Sequence, residues 1–112
     1  MAFSFENKEY VIKSDYATIN YKIRLKATSY QSNDSLAIQM LCWADDEFDF
    51  GGGWEPYDML TTNLVDARVP ANENSAYVET KYVDWVRENK IGNPTDIYAR
   101  SGFNTYVLVD FK

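Results

Sequence analysis

A chain of 112 residues, 46% of them hydrophobic, with a formal net charge of -6, has enough apolar material for one folded domain and too much for a disordered segment. It contains no histidine and one cysteine, Cys42. That excludes Ser-His-Asp and Cys-His catalysis, leaves almost nothing to build a structural zinc site, and rules out an intramolecular disulfide.

The chain opens with MAFSFENKEY, which has acids and a lysine where a signal peptide needs a long apolar stretch. No run approaches the ~20 apolar residues of a membrane span. A soluble, cytoplasmic protein is the expectation. EYVIK reads as a first strand. The clearest strand follows in TINYKIRLKA, where Ile19, Tyr21, Ile23, Leu25 and Ala27 alternate with Thr18, Asn20, Lys22, Arg24 and Lys26. A period of two places the apolar set on one face and the bases on the other. SYQSNDS is a turn, rich in Ser, Asn and Asp.

LAIQMLCW reads as a central strand, with Leu36, Ile38, Met40 and Cys42 on one side and Ala37, Leu41 and Trp43 on the other. After a Gly-rich loop, YDMLTTNLV supports another strand, and AYVET a short one beyond Pro70. TKYVDWVRENKIG predicts a helix over about 80–91. Thr80 is its expected N-cap, Gly92 its C′ residue, and Pro94 its stop. FNTYVLVDF closes the chain as a strand. The expected fold is α+β, one domain over 1–112, with an antiparallel sheet of four to six strands and the helix packed on one face.

The negative charge is regional. From Ala27 to Asp66 there are eight acids and no Lys or Arg; elsewhere nine acids face eleven bases. Its focus is ADDEFDFGGGWEP, where Asp45, Asp46, Glu47, Asp49 and Glu55 surround Phe48, Phe50 and Trp54. A region of one sign attracts basic surfaces and repels phosphates, so direct nucleic-acid binding there is not expected.

Spacing and charge exclude two specific readings of this loop. An EF-hand starting at Asp45 would need glycine sixth and glutamate twelfth, and finds Phe50 and Pro56. The three glycines lack the Lys and Ser/Thr of a phosphate loop and sit beside four acids. A carboxylate pair could serve a small hydrolase, but acids on a flexible loop are poorly positioned for catalysis. Aromatic residues that supply contact area, with acids that steer towards a basic partner, account for more of the composition. The bland alternative is a hairpin tip kept soluble by its acids. Lys22, Arg24 and Lys26 read as a solvated sheet face or as partners of acids on a neighbouring strand; a nucleic-acid groove has thin support, since Tyr21 and Ile23 point the other way. Cys42 sits in an apolar run and reads as a core residue.

The second half resembles a known family. Glu55, Pro56, Tyr57, Thr62, Asn63 and Leu64 match an EPY…T.NL strand, and Ser101, Gly102, Phe103, Tyr106 and Leu108 match a closing SGF…Y.L..F strand. The segment from about residue 36 to the C-terminus resembles the domain of unknown function 4313, an uncharacterised family of small proteins from plasmids, phages and conjugative elements. The family assigns no catalytic residues. Its pattern has a short turn before EPY, whereas this chain has a longer acidic and aromatic connection, the kind of elaboration in which function tends to sit.

The resulting expectation is a non-enzymatic accessory factor of a mobile element, without cofactor, metal or membrane association. It would inhibit a host defence system, of anti-CRISPR or antirestriction type. Asp45, Asp46, Glu47, Phe48, Asp49, Phe50, Trp54 and Glu55 would dock on the basic surface of a host protein such as a defence nuclease. A structural or homo-oligomerising protein and a small hydrolase are the alternatives.

Overall fold

The computed structural model describes residues 3–13, 20–44 and 53–111. The chain forms β1 (Tyr10–Lys13), β2 (Asn20–Ser29), β3 (Leu36–Ala44), β4 (Gly53–Met59), β5 (Thr61–Thr62) and β6 (Ser75–Glu79). Helix α1 (Thr80–Glu88), β7 (Asn93–Ser101) and β8 (Asn104–Asp110) follow. The fold is α+β. Its strands divide between two antiparallel sheets of four, β1-β2-β3-β4 and β5-β6-β8-β7.

The alternation in β2 has its expected consequence. Ile23 and Leu25 are buried, while Lys22, Arg24 and Lys26 are exposed. Leu36, Ile38 and Met40 of β3 join the same inner face. Against them pack Val83 and Val86 of α1 together with Val78, Val107 and Val109 of the second sheet. Phe5, fully buried and set edge-on to Phe111 at 6.0 Å, closes one end of this core.

The chain changes sheets at Leu60. Its N–H still donates to Ile38 O (2.9 Å), continuing the β4 pairing, but Thr61 already lies in β5 and pairs with Val78 of β6. The Thr61 hydroxyl accepts the Ile38 N–H (3.0 Å) and shares a hydrogen bond with the Tyr30 hydroxyl (2.9 Å). Leu36 N–H donates to Asn72 O at 2.9 Å. The start of β3 is thus tied to both halves of the molecule.

The helix is shorter than expected. Glu79, not Thr80, is the N-cap, without a side-chain capping bond. Lys90, not Gly92, is the left-handed residue at the end, with φ 56°. Its N–H donates to Arg87 O and the Ile91 N–H to Val86 O, the two bonds of a Schellman motif. Gly92 has a different reason to be glycine. A Cβ there would lie 2.8 Å from Val109 Cγ1 and 2.9 Å from Phe111 Cδ1.

Strand β7 has no counterpart in the sequence reading. Pro94 reads there as a helix stop, yet it is a strand residue opposite Val109, with a register shift before Tyr98. An irregularity absorbs the missing N–H. At the β7–β8 turn, Gly102 (φ +62°) occupies the first central position of a two-residue hairpin loop, the place where a II′ turn requires glycine.

Candidate functional site at the β3–β4 hairpin

The loop singled out by its sequence joins β3 to β4. Asp45, Asp46, Glu47, Phe48, Asp49 and Phe50 lie outside the described residues. Trp54 and Glu55 are on β4, opposite Trp43 and Cys42 respectively. Paired residues of an antiparallel ladder share a face and successive residues alternate. Trp54 therefore stands with Trp43 on the outer face, and Glu55 on the other.

On the outer face the two indoles meet edge to face, with ring centres 5.5 Å apart. Trp43 is 40% exposed. The Arg24 guanidinium lies 4.5 Å from the centre of the Trp54 ring and also pairs with Glu9 at 3.2 Å. That ion pair is exposed and contributes little, whereas the cation–π contact orients the guanidinium. Lys22 and Lys26 flank Arg24 on the same face, and Val11 and Met59 add exposed apolar surface. The aromatic residues missing from the outer face of β2 are thus supplied by β3 and β4. A one-dimensional reading of β2 could not find them; the signal was the outward set of LAIQMLCW, which ends in Trp43.

The inner side of the same hairpin is different. Leu41 pairs with Pro56 and Met40 with Asp58, so Tyr57 is an extra residue in β4. Such a bulge bends its strand and re-aims side chains. Tyr57 and Asp58, although consecutive, both line a cleft between the first sheet and α1. The Tyr82 hydroxyl of α1 donates a short hydrogen bond to Asp58 Oδ2. Met59 N–H donates to Asp58 Oδ1 (2.8 Å), and Lys81 Nζ stands 3.8 Å from Oδ2. Burial, and then the Asp58 hydrogen bond and charge, push the Tyr82 phenol above its ordinary pKa, so it remains a neutral donor. Trp85 donates from Nε1 to Val11 O (2.8 Å) and meets the Tyr10 ring edge-on. The helix therefore grips both edge strands of the first sheet. Tyr57 stood in the sequence only as part of the EPY motif, and Asp58, Lys81 and Tyr82 in none, because the four converge only through the bulge and the helix.

Among the described residues no group of His, Cys, Asp or Glu is arranged to hold a metal ion. No helix there is long and apolar enough to cross a membrane.

The model of the domain of unknown function DUF4313 matches residues 24–112. The chain belongs to that family. The match starts at Arg24 in β2, earlier than the Leu36 start expected from the motifs, so Arg24, Lys26 and the whole β3–β4 hairpin fall within the family region. No curated protein and no solved structure gives a significant match.

Proposed function

We propose that this DUF4313 protein is a binding protein, not an enzyme, and that it docks on a partner protein through the β3–β4 hairpin. The supporting observation is the Trp43–Trp54 pair, partly exposed on the outer face where the strands lead into the acidic 45–49 segment. Tryptophan is among the residues most enriched at binding hot spots, and flanking charge sets partner choice and association rate. Val11 and Met59 extend the apolar area. The acids favour a basic partner surface. Together with the mobile-element setting implied by the family resemblance, they support a cytoplasmic inhibitor of a host defence nuclease, of anti-CRISPR or antirestriction type, that covers its nucleic-acid-binding surface.

A second reading has its own observation. Arg24 over Trp54, between Lys22 and Lys26, is an aromatic and basic face of the type that holds single-stranded nucleic acid.

The test compares wild type with Trp43→Ala and with a variant carrying Asp45→Asn, Asp46→Asn, Glu47→Gln and Asp49→Asn. Partner capture from a natural host lysate is measured at about 50 and 500 mM salt, either side of the ionic strength at which exposed charges are screened. A partner lost by both variants and weakened by salt is expected. Equal capture by all three proteins overturns the proposal. A salt-insensitive self-association that depends on Trp43 would identify an oligomerisation surface instead. Binding of a labelled oligonucleotide, lost on Arg24→Ala, would favour the second reading.

A further inference from the structure

We propose that the chain forms a two-fold symmetric dimer in which β7 of one copy pairs antiparallel with β7 of a second, joining their second sheets into one. The inference is independent of hairpin docking. β7 is an edge strand, and among the described residues no strand pairs with its outer side. A free edge exposes N–H and C=O groups and is a template for another strand.

The other edges are short or guarded. β5 has two residues. β1 has four, and its Val11 O is taken by Trp85. β4 carries Pro56 and the bulge. β7 has nine residues, and its own guards, Pro94 and the register shift, lie in its first half. From Tyr98 to Ser101 its pairing with β8 is regular. Apolar side chains border this unguarded half. Tyr98 and Val65 are each 65% exposed and Phe103 is fully exposed, all more than Trp43, and Val65 lines a hollow with Ala99 and Ser101.

The β7–β8 hairpin fixes which groups point outward. The closing pair of a two-residue loop, Ser101 with Asn104, exchanges both hydrogen bonds, and hydrogen-bonded pairs recur at every second residue. Ala99 with Tyr106 is the next such pair, so Tyr98 and Arg100 aim their N–H and C=O away from β8. Their side chains are exposed on the face opposite Ile97 and Ala99, which pack with Tyr77, Tyr106 and Leu108.

A two-fold pairing must set outward-facing residues against each other. An axis at Arg100 would place two guanidinium groups directly opposite, which is destabilising. An axis at Tyr98 would need Asp96, which lies inside the register shift. An axis at Ala99 draws its hydrogen bonds from Tyr98 and Arg100 alone, about four in all. It faces the small Ala99 with its own copy and puts Tyr98 of each copy opposite Arg100 of the other. A guanidinium against a phenol ring is a favourable cross-strand pair. Among the described residues Arg100 makes no ion pair and Tyr98 no ring contact, so both are available for it. The same register brings the exposed Phe103 of each copy level with Pro94 and Thr95 of the other.

The test is sedimentation of the full chain from about 10 µM to about 1 mM, the range in which a small interface of this kind associates. A monomer–dimer equilibrium is expected. Tyr98→Pro removes an outward N–H and leaves the β8 ladder intact, and Arg100→Glu removes the cation; each should weaken the dimer at least about tenfold. In a Cys42→Ala background, Ala99→Cys should form a disulfide dimer on mild oxidation about tenfold faster than Arg100→Cys, because a non-hydrogen-bonded pair brings Cα atoms within disulfide range. A monomer throughout the range overturns the proposal, including a monomer whose β7 instead takes up an extended peptide of another protein. So does a dimer that survives both variants or is lost on Trp43→Ala, which would lie on the outer face of the first sheet, and so does faster crosslinking through Arg100→Cys. If Tyr98→Pro does not fold, Arg100→Glu decides, because Arg100 is exposed. Partner capture that depends on Trp43 is untouched by any of these results.

Discussion

The two sheets are built alike and finished differently. The second is covered on both faces over β6 and β8, while Tyr98 of β7 and Phe103 of the β7–β8 turn stay exposed. The helix and the core occupy one, and on the other Tyr77, Tyr106 and Leu108 lie under a connection that contributes Leu64, Ala67 and Ala71, closed by the Tyr77 hydroxyl on Val69 O. The first sheet buries its inner face and, on the outer one, Ala37. Its outer face carries Trp43, Val11 and Met59 exposed beside three bases. Covering a face costs chain, and here the chain beyond β5 is spent on the second sheet. A bare face with large apolar groups needs a reason, since exposed apolar patches mark interaction sites more often than accidents. The contrast is what the proposed docking role of the first sheet predicts.

The largest expected effect tests whether the two sheets share one core. Ile38 is fully buried in β3 and belongs to the cluster that includes residues of both sheets. Ile38→Ala should destabilise by about 2–5 kcal/mol in chemical denaturation, with a single transition. Two separated transitions would show that the sheets unfold independently. The corner between them is the next target. Thr61→Val removes the acceptor of the buried Ile38 N–H and the partner of Tyr30, and should cost about 1–3 kcal/mol. A neutral outcome would mean that the Thr61 hydroxyl adds nothing to the apolar contacts and to the backbone bonds of Leu36 and Leu60.

The legibility of these features follows their range. Strand β2 was readable because alternation is a local property of the sequence, and Ile23 and Leu25 are buried as it requires. The α+β class and the helix were readable for the same reason. The helix end was not. Sequence favours Gly92 at C′, but the steric demand on Gly92 comes from Val109 and Phe111, distant in the chain, and Lys90 takes the left-handed position. Strand β7 was hidden because Pro94 signals a stop unless a bulge is available. The candidate sites show the same limit. Trp54 and Glu55 are adjacent in sequence and sit on opposite faces, whereas Arg24 and Trp54 are thirty residues apart and stack.

A smaller effect concerns the helix clamp and is read through pH. The folded state raises the Tyr82 pKa, by burial first and by Asp58 second. A raised pKa means that the folded protein keeps a proton which the unfolded chain gives up above about pH 10, the ordinary tyrosine value. The stability contributed by Tyr82 is therefore complete below that pH and declines above it. Wild type should exceed Tyr82→Phe in stability near neutral pH by about 1 kcal/mol, the net value of one hydrogen bond, and the gap should close as the pH rises past about 10. Tyr10 and Tyr77, also raised by burial, titrate in both proteins and cancel in the difference. A gap that is constant up to pH 11 or so would mean that the Asp58 bond does not distinguish the protonation states of Tyr82.

The smallest expected effect on stability carries the most weight for the comparison. Trp43 is 40% exposed, and among the described residues its ring partner is Trp54 at 5.5 Å. Trp43→Ala gives up an edge-to-face contact worth about 0.5–1.5 kcal/mol and leaves no cavity in the core. Tyr77→Ala, the corresponding change on the covered face of the second sheet, empties a fully buried ring position and breaks the Val69 bond, so it should cost about 3–5 kcal/mol. Both substitutions remove an aromatic ring from the side of a sheet that faces away from the main core. If they cost the same, the outer face of the first sheet is structural and the assignment of binding to it fails. A small loss of stability at Trp43 with a large loss of partner binding is what an interaction surface requires, because the burial energy of that ring is then released only in the complex.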